Sequence, residues 1–145
     1  MSGSEDKKHQ IRVFDTGATR DTDSGKWDFE GFFHPAVMCR FAKYMNDHRV
    51  QADGNLRSSD NWQKGIPVTA YMKSMFRHFV DLWSMHRNLL AKGRVTEGGF
   101  ISSSDELDET WIDSDLDAME EMLCALSFNV NGYLLELLKK RGKTR

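Results

Sequence analysis

The segment VTAYMKSMFRHFVDLWSMHRNLLAK, Val68 to Lys92, constrains the fold of this chain more than any other stretch. Met72, Met75, Phe76, Phe79, Leu82, Trp83, His86 and Leu90 recur at three- and four-residue intervals, which aligns them along one side of a helix and along no strand. Pro67 stands before it, where a missing N–H costs nothing; Gly93 and the pair Gly98-Gly99 are expected to end it. A helix this long must bury its stripe against others. Two further segments have the same period. PAVMCRFAKYMNDH, opening on Pro35, repeats Val37, Phe41, Tyr44, Met45 and His48. A third helix is expected from near Ser114 to Lys140, with Leu116, Met119, Leu123, Leu126, Val130, Tyr133 and Leu137 as its core stripe. No segment reads convincingly as a strand and there are no repeats, so the expected class is all-α.

Chain length agrees with this economy. At 145 residues the chain suits one domain, able to bury roughly two thirds of its unfolded surface. We expect a polar, disordered segment at 1–10, a single domain over 11–140 and a basic tail at 141–145. No apolar run is long enough for a membrane helix or a signal peptide, which points to a soluble cytoplasmic protein. Cys39 and Cys124 fall inside helical patterns and read as reduced structural thiols. The net charge of −2 carries no nucleic-acid signature. Charge is uneven, however: Asp105–Glu121 holds nine carboxylates in seventeen residues, and the last seven residues hold five cations. The former suits a helix N-terminus and the latter a helix C-terminus.

Three such helices do not enclose one another. Tyr71, His78, Met85 and Leu89 give helix two a second apolar flank, roughly 80–120° from Phe79 at 100° per residue. Helix three carries a small-residue flank, Ala118, Ala125 and Gly132, which lets another helix or a ligand approach closely. These faces imply a homo-oligomer in which two copies complete a four-helix arrangement.

Polar residues in apolar company are the chemical candidates. His78 and Asp81 are neighbours on helix two and can share a metal or a water; the competing reading pairs Asp81 with Arg77 at the surface and leaves His78 at the core edge. Glu120, Glu121, Asn129 and Glu136 lie on helix three. Glutamates facing inward across a helix bundle can hold a hard divalent cation such as Mg²⁺ or Mn²⁺; solvated glutamates and a hydrogen-bonded core amide are the alternative. The loops carry the opposite charge. Arg20 and Lys26 in DTGATRDTDSGKWDFEGF, and Arg57 and Lys64 in RVQADGNLRSSDNWQKGIP, stand among glycines and beside Trp27 and Trp62. Backbone that can turn N–H groups toward an anion, cations to neutralise it and an indole to cover a base suit a phosphorylated ligand. No Walker A or dinucleotide fingerprint is present.

Together GATRD, GKWD, YMNDHR, DNWQKGIP, YMKSMFRHFVDLW and LCALSFNVNGYLLEL, spanning about residues 14–138, resemble the phage dATP/dGTP diphosphohydrolase family, the MazZ-type nucleotide pyrophosphohydrolases. DNWQKGIP and RHF are the specific blocks. The resemblance implies a MazG-like all-α enzyme that hydrolyses a purine deoxynucleoside triphosphate to monophosphate and pyrophosphate with Mg²⁺. It puts Arg20, Asp21, Lys26, Asp28, Asn61, Trp62, Lys64, Arg77, His78, Asp81 and Asn129 on motif positions. By that reading Asp81, Glu120 and Glu121 hold the metal. His78 orients a carboxylate or takes the water's proton, and Arg20, Lys26 and Lys64 hold the triphosphate. Trp62 and Asn129 then meet the base or ribose. Two departures stand out. Helices one and two contain no E-x-x-E pair, so His78-x-x-Asp81 replaces one, and Glu120-Glu121 stands where the family shows Glu-Asp. A catalytically silent nucleotide-binding module and a helical adaptor are the rival readings.

Overall fold

The computed structural model describes residues 11–21, 25–94 and 112–144. The expectation of disorder at 1–10 and most of the acidic connector lie outside the described residues. Backbone contacts divide the chain into two compact units, Met1–His34 and Pro35–Arg145, each described here by itself.

The first unit corrects the expectation of a chain without strands. Strands β1 (Ile11–Val13) and β2 (Thr19–Asp21) pair antiparallel, with Arg12 opposite Arg20 and Ile11 opposite Asp21. The turn between them needs Gly17, whose φ of +81° is open to glycine and strained for other residues. Each strand has three residues, too short for an alternating pattern to register. A single helical turn, α1 (Phe29–Phe32), follows, capped by the Asp28 carboxylate, which accepts the Gly31 N–H at 2.8 Å.

The second unit holds the three long helices at close to their expected boundaries. Helix α2 spans Pro35–Asp47, α3 spans Val68–Arg94 and α4 spans Asp113–Lys140. Gly93 does not stop α3, which runs one residue beyond it. Asp113 and Asp115 in the first turn of α4, and Lys139 and Lys140 in the last, suit the helix dipole. Between α2 and α3 a 3₁₀ helix occupies Asn61–Lys64 and ends at Gly65, φ +107°. Class is therefore largely all-α. Among the described residues no helix is long and apolar enough to cross a membrane.

Packing divides the expected core stripes of α3 and α4: Met75, Leu82 and Leu90 on α3 and Leu116, Met119, Leu126 and Tyr133 on α4 are half-buried, and the other stripe residues are exposed. Tyr71, early in α3, meets Phe128 and Gly132 late in α4, while Met85, Asn88 and Leu89 line one small cavity with Asp115 and Ala118, so the two helices run antiparallel. The face of α3 turned inward is the second flank, with Tyr71 1% and Leu89 4% exposed; Met72, Phe76, Phe79 and Trp83 of the expected core stripe are exposed. On α4 the buried residues are Cys124, Ala125, Asn129 and Gly132, and Leu123, Val130 and Leu137 of the expected stripe face outward. The physical reason is distance of approach. Gly132 has no Cβ, so the Tyr71 ring lies where one would be, and helices meet most closely along small residues. Helix α2 packs on α4 through Tyr44, Cys124 and Ala125, with Phe41, Met45 and Phe128 around them.

The displaced stripes share one side of the structure. At 100° per residue, Met72, Phe76, Phe79 and Trp83 lie roughly 80–140° round α3 from Tyr71, and Leu123, Val130, Leu134 and Leu137 lie roughly 120–180° round α4 from Ala125, in the same rotational sense. Because the helices are antiparallel, both stripes fall on one face of the pair, opposite α2.

Candidate functional site

A cavity of about 410 Å³ opens where the end of α2, the loop after it, the 3₁₀ helix and α4 meet. Tyr44, Met45 and Asp47 enter from α2; His48, Arg49, Val50, Arg57, Ser58 and Ser59 from the loop; Asn61, Trp62 and Ile66 from around the 3₁₀ helix; Phe128 from α4. The unpatterned segment between the first two long helices thus forms most of the wall. Its backbone is tied down locally. Val50 bridges Leu56, Arg57 N–H donates to Arg49 C=O at 2.9 Å, and the Arg49 Nε donates back to Arg57 C=O at 2.8 Å. At the tip the Asp53 carboxylate accepts the Asn55 side-chain amide at 3.0 Å and the Asn55 backbone N–H at 3.0 Å, which together hold Asp53 below the usual carboxylate range, and Gly54 takes φ +81°. Arg49 and Arg57 are thereby held as neighbours at the cavity.

The aromatic end is fixed from below. The Tyr71 hydroxyl donates to the Trp62 carbonyl at 3.2 Å, and the Phe128 ring stands edge-on to both Trp62 (6.4 Å) and Tyr71 (5.8 Å). Lys139 Nζ donates to the Gln63 carbonyl at 2.5 Å, pinning the 3₁₀ helix to α4, and Lys64 Nζ donates to Ser58 Oγ at 2.8 Å. Burial pushes the Tyr71 phenol up, with Glu136 adding to the effect, and burial likewise raises Tyr44.

Beside the cavity lies the carboxylate pair. Arg40 Nε donates to Glu120 Oε2 at 2.7 Å and Arg40 Nη2 to Glu121 Oε2 at 3.0 Å. These bonds, Glu121 first and Glu120 second, hold the guanidinium charged far into the alkaline range. The His48 ring lies tilted against the Tyr44 ring with centroids 4.1 Å apart, and its Nδ1 donates to the Tyr44 carbonyl at 2.9 Å. That bond puts a proton on Nδ1 and turns Nε2 toward Glu121 Oε1, 3.5 Å away. His48 therefore joins cavity and carboxylates. Asp47, at the same helix end, is held below the usual carboxylate range by the Lys43 ammonium.

The residues singled out from sequence divide three ways. Asn61 and Trp62 line the cavity, Lys64 reaches it through Ser58, and Glu120 and Glu121 are drawn together on Arg40. On α3, Arg77 and Asp81 are exposed, whereas His78 is half-buried with a buried Nδ1 that has no hydrogen-bond partner. Asn129 is 3% exposed and its amide donates to Ala125 C=O at 2.7 Å, the arrangement of a core amide. Arg20, Asp21, Lys26 and Asp28 belong to the first unit: Arg20 and Asp21 on β2, Lys26 beside Gly25 at φ +79°, and Asp28 engaged as the cap of α1. Sequence reasoning did not name Arg40 or Arg49 as site candidates, and it read His48 only as part of the apolar stripe of the first long helix. The signal was present, since Arg40, Tyr44 and His48 follow one another at four-residue intervals along α2 and the residue just after it.

For a divalent cation the donor chemistry is suitable in part. Two hard carboxylates already converge on one positive centre, and Mg²⁺ is commonly held by one or two carboxylates with water and substrate phosphate completing its shell. Among the described residues no three His, Cys, Asp or Glu side chains form a ready set, so Asp81 is not gathered with Glu120 and Glu121. Comparison with protein-family models, with curated protein sequences and with solved structures gave no match.

Proposed function

We propose that this chain is a Mg²⁺-dependent hydrolase of purine deoxynucleoside triphosphates, dGTP or dATP, yielding monophosphate and pyrophosphate, as the resemblance to the phage diphosphohydrolases implies. The observation that carries the reading is the junction at His48: a cavity with cations and aromatics on one side, a carboxylate pair on the other. Arg49 and Arg57 supply charge for the phosphates, with Lys64 behind Ser58. Trp62 and Phe128 supply flat apolar surface for a base, Asn61 a polar edge. Glu120 and Glu121 are the residues that would hold the metal, which when bound neutralises phosphate charge and activates water. His48, with Nε2 directed at Glu121, is placed to orient that carboxylate or to hold a proton there. Pyrophosphate release from a panel of dNTPs and NTPs, with an EDTA control, tests the reading: EDTA-sensitive release from dGTP or dATP is expected, and none from any nucleotide refutes it.

A catalytically silent nucleotide-binding module is favoured by one observation, that Arg40 already neutralises both glutamates. Nucleotide binding without turnover would select it.

A second copy of the chain is the partner we propose for the apolar face of α3 and α4. Phe76 is 68% exposed and Trp83 52%, and with Leu123, Val130 and Leu134 they form a two-helix stripe that a symmetric partner would match to make four helices. A solution mass of 16.7 kDa at micromolar concentration would refute this.

A further inference from the structure

We propose that Arg40 is an internal counter-ion that competes with the divalent cation for Glu120 and Glu121, so that metal enters only as the guanidinium leaves. The inference rests on the reading of these glutamates as metal ligands. A single side chain takes one oxygen from each carboxylate, Oε2 of Glu120 at 2.7 Å and Oε2 of Glu121 at 3.0 Å. A cation held by both residues would have to share their negative charge with the guanidinium already placed against them. The guanidinium cannot give up its charge to make room, because arginine stays protonated in proteins; it has to move. It is able to do so, since its side chain is 27% exposed and both partners are about half exposed. Once displaced, the guanidinium is free to pair with an anion arriving with the metal, for which its planar fork suits phosphate. Arg40 then acts as a positioning residue. It holds the carboxylates together in the metal-free protein and sets how tightly the cation binds without substrate.

The test is Mn²⁺ affinity in the absence of nucleotide, read from the free-ion electron paramagnetic resonance signal, for the wild-type chain, Arg40→Met, Glu121→Gln and the double variant. Arg40→Met keeps the apolar stem and removes the competitor, so Mn²⁺ should bind at least about tenfold more tightly, the scale of losing one charge-assisted contact at a part-exposed site. The gain should vanish when Glu121→Gln is added. Lys43→Met separates contact from general field: it removes one positive charge from the same helix, paired with Asp47 at 2.5 Å rather than with the glutamates, and should change affinity much less. Arg40→Lys, which keeps the charge but loses the fork, should fall between wild type and Arg40→Met and serves if the latter does not fold. Equal Mn²⁺ affinity in wild type and both Arg40 variants, with loss in Glu121→Gln, overturns the competition while the metal site stands. Mn²⁺ binding that Glu121→Gln leaves unchanged in every background overturns the metal site and the competition with it.

Discussion

Gly132→Ala is the substitution whose outcome the packing determines most directly. A Cβ built on Gly132 would lie 2.2 Å from Tyr71 Cε1, 2.3 Å from Cζ and 2.6 Å from the hydroxyl oxygen, whereas carbon atoms pack at about 3.5–4.0 Å. Relief of more than about 1 Å is needed, and the ring has nowhere to go. Tyr71 is 1% exposed, its hydroxyl holds the Trp62 carbonyl and its edge meets Phe128. Overpacking costs about 1–3 kcal/mol and a severe overlap sits at the top of that range; the lost hydroxyl bond adds about 1 kcal/mol. Against this, alanine in a helix interior gains about 1 kcal/mol over glycine. The net is a loss of about 2–3 kcal/mol, which at this chain length lowers Tm by about 5–10 °C. Circular dichroism melts at one fixed protein concentration read it. In a Tyr71→Leu background the same substitution should be neutral or stabilising, giving a coupling energy of about 2 kcal/mol or more between the two positions. A Gly132→Ala protein as stable as wild type, with no coupling to Tyr71, would refute the close approach of α3 and α4.

Other outcomes follow from the proposed function and from the structure. Glu121→Gln should abolish pyrophosphate release while leaving the melt little changed, and unaltered turnover would remove Glu121 from the metal set. Lys26→Ala should weaken nucleotide binding without a comparable loss of stability, as titration calorimetry and thermal melts can separate; equal loss of both would mean a structural role. Under Ellman's reagent the exposed Cys39 should react quickly and the buried Cys124, whose thiol burial pushes up, only on unfolding. Cys124, Tyr44 and Tyr71 all have acid groups raised in the folded chain above ordinary values of 9.0 and 10.0, chiefly by burial. The folded state therefore binds more protons than the unfolded state in that range, and stability should fall as pH rises above about 9, measured by urea titration. Stability that is flat from neutral to alkaline pH would contradict that burial.

What the sequence determined by itself was periodicity. Apolar residues at three- and four-residue intervals, Pro35 and Pro67 ahead of their segments and charges suited to helix ends made three long helices legible nearly to the residue, because these are local effects carried by adjacent turns. The short hairpin was not legible, since three-residue strands leave no alternation to count. The sequence also showed that α3 has two apolar sides and α4 a small-residue flank, but not which side faces which neighbour. Tertiary structure decided that through Gly132 and Tyr71: the smallest residue admits the closest helix, so the largest apolar side chains were left facing outward. The candidate site divides the same way. Trp62, Asn61, Glu120 and Glu121 could be named from the chain, yet their neighbours Arg40 and His48 lie about seventy to eighty residues from Glu121 in sequence and meet it only because α2 packs across α4. Pairings of that range are set by packing, and no local pattern records them.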